Sequence, residues 1–183
     1  MPPNKPTMSA NNTAIIITDP YNDFLHPKGK LNGLVAESLA EKNVLAHLKE
    51  LVDAARAHHI PIYYGLHQQL KAGFLGGWKH ATKLQESQAK STAFAEGTWG
   101  VEIYEGLEPQ VSNGDVVVSK HWCSRFVDSF GTAMKKAALI EYSSFQNTDL
   151  DYQLHQREIT NLVLAGMTAN TCLEATARYA YEL

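Results

Sequence analysis

Two cysteines among 183 residues are too few to build a disulfide framework. A free thiol has to stay reduced, which points to a cytoplasmic setting. No apolar run comes near the length of a membrane-spanning helix, so no membrane partner is expected. The formal net charge of −3 leaves no basic footprint, so nucleic acid is not an expected partner either. No arginine cluster announces a carboxylate ligand, and no glycine-rich loop announces a phosphate. Nothing in the chain calls for a cofactor, and no repeat or low-complexity block is present. Residues 1–12 are polar, carry Pro2, Pro3 and Pro6, and lack the apolar core of a signal peptide, so they read as a disordered tail. What is left is an ordinary globular composition, 44% hydrophobic and 19% charged, long enough for one domain over residues 13–183.

The run Ala14-Ile15-Ile16-Ile17-Thr18 is continuous rather than alternating. Such a strand is buried on both faces, as in a parallel sheet, and Pro20 stops it. Val44, Leu48, Leu51, Val52 and Ala55 recur at helical spacing and predict one helix over 35–58. Residues 60–65 predict a second strand. The stretch 66–100 is long, polar and broken by glycines, with Phe74, Trp78, Phe94 and Trp99 scattered through it. It predicts one short helix over 82–90. The rest reads as a lid or pocket wall, or as a solvated loop with its aromatics in the core. Asn113-Gly114-Asp115 turns into a strand over 116–119 that ends at Lys120. A helix starts near Thr148 or Asp149, a strand covers 161–165, and a last helix covers 171–183. Strands alternating with helices predict a three-layer α/β/α domain with a mostly parallel sheet.

Three polar residues stand at the carboxyl ends of three predicted strands: Asp19, Lys120 and, on the turn into the last helix, Cys172. In an open parallel sheet ligands bind beyond those ends, so the three can converge. A helix start offers free N–H groups and partial positive charge, and both favour a thiolate. Taken singly, Asp19 is also a plausible turn former, Lys120 a solvated strand end, and Cys172 or Cys123 a small buried apolar residue. Asp23 suits a structural role in its loop.

The joint pattern resembles the isochorismatase-like cysteine hydrolases, which include nicotinamidases, N-carbamoylsarcosine amidohydrolase and isochorismatases. The matching pieces are Ile17-Thr18-Asp19-Pro20-Tyr21-Asn22-Asp23-Phe24 with Pro27 and Gly29, then Val118-Ser119-Lys120-His121, then Asn147-Thr148-Asp149-Leu150. The strongest is the segment from Leu164 through Gly166, Met167, Thr168 and Cys172 to Leu173, with Thr176-Ala177-Arg178 behind it. The resemblance implies a Rossmann-type topology and a catalytic triad of Asp19, Lys120 and Cys172. It further implies a cis peptide at Met167–Thr168, which aims the N–H groups of Thr168 and Cys172 at an oxyanion. Phe24, Trp99, Trp122 and Phe145 are the expected walls of a pocket for a small-molecule substrate. Relatives form dimers or tetramers, so a homo-oligomer is expected. The implied activity is metal-independent hydrolysis of a small amide or related C–N bond through a thioester. Vinyl-ether hydrolysis of the isochorismate type and an inactive binding or scaffold protein are the alternatives.

Four departures qualify the resemblance. Tyr21 stands where the family usually has Gln. Gly65-Leu66-His67 stands where nicotinamidases carry an Asp-x-His metal pair, so no metal is expected and His67 reads as a polar residue at the pocket mouth. An extra stretch over 125–143 separates two motifs, as a lid, or as an insertion without function such as a translated intron. The sequence stops at Leu183, where relatives continue for another strand and helix, which leaves the sheet one edge strand short.

Overall fold

A computed structural model describes residues 8–119 and 143–183. Strand β1 (Thr13–Thr18) is buried at all six positions, as its unbroken apolar run requires. It lies in a four-stranded parallel sheet between β2 (Ile62–Leu66) and β4 (Asn161–Gly166), with β3 (Val116–Ser119) outside β2. The order is therefore β3-β2-β1-β4. Thr18 pairs with Gly65 on one side and Gly166 on the other, so β1 and β4 end level and β2 runs one residue further.

Alternation along the strands splits the core into two layers. Ile15, Ile17, Ile62 and Tyr64 face Leu48, Val52 and Ala55 of α3 (Val44–Ala57). Ala14, Ile16, Tyr63 and Val118 face Leu150 and Leu154 of α5 (Leu150–His155) and Ala180 of α6 (Glu174–Glu182). Helices thus cover both faces, giving the three-layer α/β arrangement that the sequence predicts. Each buried isoleucine of β1 contributes roughly 1.5–3 kcal/mol by leaving water.

Several boundaries differ from expectation. The helix predicted over 35–58 is two helices, α2 (Ala36–Glu41) and α3. Asn43 breaks them apart with a left-handed backbone, φ 49. Asparagine tolerates that conformation better than most residues, and apolar periodicity does not report it. Strand β2 starts at Ile62 rather than 60, because Pro61 has no N–H to give a ladder. The short helix after β2 is as expected: α4 (Lys83–Ser91) follows Thr82, whose Oγ1 accepts the Gln85 N–H at 3.2 Å while the Gln85 side chain accepts the Thr82 N–H at 2.9 Å. The last helix opens with one π-helical turn, Ala169–Leu173, before α6. No helix among the described residues is long and apolar enough to cross a membrane.

Candidate active site

Asp19 leaves β1 in a left-handed conformation, φ 49, and is fully buried. Its N–H donates to Gly65 O at 3.2 Å, and its own carbonyl accepts the Tyr21 N–H at 2.8 Å. This sharp turn brings the carboxylate to the end of β2, where Oδ1 accepts the His67 N–H at 2.6 Å. A hydrogen bond that short to a carboxylate is charge-assisted.

The same strand end holds the cysteine turn. The Met167 N–H donates to Thr18 O at 2.8 Å, and Thr18 Oγ1 donates to Met167 O at 3.0 Å. Gly166 makes this junction possible. Its φ is +111, and a Cβ there would collide with the Thr18 backbone. The Met167–Thr168 peptide is cis, as the resemblance implied. Thr168 then leads into the π-helical turn, with its Oγ1 2.6 Å from Thr171 Oγ1. Cys172 lies within this turn and is buried. Thr176 Oγ1 donates to Cys172 O at 2.6 Å and accepts the Ser144 N–H at 3.0 Å. That pair ties the segment before α5 to the cysteine turn.

Strand β3 ends at Ser119, paired with Leu66 of β2. Lys120, the expected third member, lies outside the described residues, as do Trp122, Cys123 and the stretch from 125 to 142. Among the described residues, no group of three or more His, Cys, Asp or Glu could hold a metal ion. His67 Nδ1 lies 2.8 Å from Gln68 O, its Nε2 is 3.2 Å from Gln88 Nε2, and its ring stacks on Phe94 with centroids 4.5 Å apart. A Gly65 in place of the aspartate, and an imidazole engaged in this way, do not fit a two-residue metal pair.

Residues 13–183 match the isochorismatase domain. The chain belongs to the isochorismatase family, a family of hydrolases. Ureidoacrylate amidohydrolase RutB of Rhizobium rhizogenes is 27% identical over 187 residues, covering 97% of this chain and 68% of that protein. The structure of a cysteine hydrolase from Pseudomonas syringae pv. phaseolicola superposes with a TM-score of 0.67 at 26% identity, covering 98% of this chain and 72% of that one. N-carbamoylsarcosine amidase from Thermoplasma acidophilum shares the fold, with a TM-score of 0.58 at 24% identity, covering 93% of this chain and 77% of that one.

Within this family member the expected aromatic residues part ways. Phe24 is half-buried and packs against Phe94 at 5.2 Å. Trp99 is 43% exposed, with its ring edge-on to His26 at 4.7 Å. Phe145 is packed in the α5 and α6 core layer and stacks on Tyr179, so its contacts are those of a core residue. A cavity of about 620 Å³ lies in the long excursion between residues 70–76 and 89–96, and none of the expected site residues among the described residues lines it.

Asp23 has the structural role expected of it, with a longer reach. Its carboxylate accepts the Lys30 N–H at 3.1 Å and the Phe94 N–H at 2.7 Å, so it ties its own loop to the far end of the excursion. Sequence reasoning passed over Phe94 and the backbone of His67. Phe94 stood in the sequence as one scattered aromatic, and a backbone donor leaves no trace in residue identity.

Proposed function

We propose that this protein is an amidohydrolase that cleaves a small amide or related C–N bond through a covalent thioester at Cys172, without a metal. The observation that carries the reading is the shared end of β1 and β4. Thr18, the residue before Asp19, is hydrogen-bonded on both its O and its Oγ1 to Met167, the residue that opens the cysteine turn. An acid and a thiol are thereby supported from one junction. The amidohydrolase activity named for the Rhizobium relative and the hydrolase named for the Pseudomonas structure agree with this chemistry.

In the proposed mechanism Asp19 takes the proton of the Cys172 thiol. The thiolate adds to the carbonyl carbon, and the oxyanion is met by the N–H groups of Thr168 and Cys172. The C–N bond breaks as Asp19 returns its proton to the leaving nitrogen. Water then cleaves the thioester with Asp19 as base, releasing the acid and the free thiol. Lys120, next in the chain after β3, stabilises the anionic states. Burial of the thiol keeps bulk water away, which strengthens each of these electrostatic contacts.

The test is turnover of small amides, ureidoacrylate first. Cys172→Ala is expected to lower the rate by more than about a thousandfold with the fold intact, since an alanine cannot form the thioester. Full turnover by Cys172→Ala removes covalent catalysis. Exhaustive dialysis against EDTA leaves the rate unchanged on this reading, and a rate lost to EDTA and restored by a divalent ion removes the metal-free part.

A further inference from the structure

We propose that Tyr21 is the positioning residue for the Asp19 carboxylate, acting through the backbone of His67. The proposal rests on Asp19 being the base.

Three hydrogen bonds close a ring between these residues. The Tyr21 N–H donates to Asp19 O at 2.8 Å. Tyr21 Oη donates to His67 O at 2.9 Å. The His67 N–H donates to Asp19 Oδ1 at 2.6 Å. The direction of that last N–H helps set where the carboxylate stands and how well its charge is held. It belongs to a residue just past the end of β2, beyond the sheet ladder that would otherwise fix it. Tyr21 supplies a constraint from the other side by donating to the carbonyl of the same residue.

Tyr21 is itself rigid. It is 1% exposed, and its backbone pairs with Ile103, flanked by bonds from Asn22 N to Glu102 O and from Tyr104 N to Pro20 O. Phe94 finishes the clamp. Its ring stacks on the His67 imidazole and lies 5.7 Å from the Tyr21 ring, while the Asp23 carboxylate fixes its N–H. Burial, and then the Asp19 charge, push the Tyr21 phenol above its ordinary range, so it stays protonated and remains a donor at any working pH. A glutamine at this position has a shorter side chain, so the arrangement belongs to this chain's own tyrosine.

The experiment is the rate of Cys172 alkylation by limiting iodoacetamide at pH 7, read by mass spectrometry on the full chain, with thermal melting alongside. Tyr21→Phe removes one oxygen and keeps the ring. It is expected to slow alkylation about tenfold, the rate equivalent of one net hydrogen bond, with the melting temperature nearly unchanged. Replacing Tyr21 by 4-aminophenylalanine puts an N–H donor back at the same place and is expected to restore the rate. Asp19→Asn slows alkylation whether or not Tyr21 has this role. Wild-type alkylation in Tyr21→Phe, with Asp19→Asn slow, overturns the proposal and spares the base. Wild-type alkylation in Asp19→Asn overturns both. If Tyr21→Phe does not fold, the 4-aminophenylalanine protein decides. Wild-type labelling upholds the donor role, and slow labelling rejects it.

Discussion

Asp19 and Asp23 are four residues apart and both buried, yet they carry different duties. Asp23 spends its carboxylate on two backbone N–H groups, from Lys30 and Phe94, with Gly100 pressed against it because no Cβ fits there. Asp23→Ala leaves the buried Phe94 N–H and the part-buried Lys30 N–H without that partner. Urea unfolding should therefore show a loss of about 2–6 kcal/mol, at about one to three for each orphaned group. Thr18→Val tests the junction from the other side. It removes the hydroxyl that bonds Met167 O and approaches Ala165 O at 3.3 Å, at a similar shape. The expected cost is about 1–2 kcal/mol in stability, together with slower alkylation of Cys172, because the cysteine turn loses one of its two ties to β1.

Elements here are set by a few backbone conformations more than by side-chain pattern. Gly166→Ala forces a Cβ into the Thr18 backbone at a φ that only glycine adopts readily. It should cost more than about 2 kcal/mol and abolish activity, measured by unfolding and turnover on the same preparation. Asn43→Val should cost about 1–2 kcal/mol, and Asn43→Gly close to nothing, because only the left-handed φ is at stake. These positions also mark what the sequence could and could not tell. Burial of β1 was legible because three isoleucines in a row suit no half-exposed strand. The positions of Asp19 and Cys172 at strand ends were legible because proline and small residues punctuate those ends. The split at Asn43 was not, since a single left-handed residue leaves apolar spacing untouched. Neither was the pairing of Asp23 with Phe94, which joins segments 71 residues apart in sequence. The stacking of Phe145 on Tyr179 was equally hidden, since a motif does not say which ring of the last helix will meet it.

At the scale of the whole molecule, three fully or nearly buried tyrosines give the fold an alkaline limit. Burial, first among the causes in each case, raises the phenols of Tyr21, Tyr63 and Tyr64 above the ordinary value of 10.0. The unfolded chain therefore loses these protons first as pH climbs. The stability they lend is whole below pH 10 and drains away above it, by at most about 1.4 kcal/mol per phenol per pH unit. Denaturant midpoints measured from pH 8 to 11.5 should stay flat to about pH 10 and then fall. Tyr63→Phe should make that fall shallower. The sheet order has a consequence of another kind. Thr18 meets Met167 across 149 residues of chain, so the strand that carries the acid waits for its partner while the protein is being made. A ribosome adding roughly 5–20 residues per second leaves that gap open for roughly 7–30 seconds. Until β4 is made, the edge of β1 that it covers in the finished sheet has no partner strand, and an apolar edge of that kind is a template for pairing with other chains.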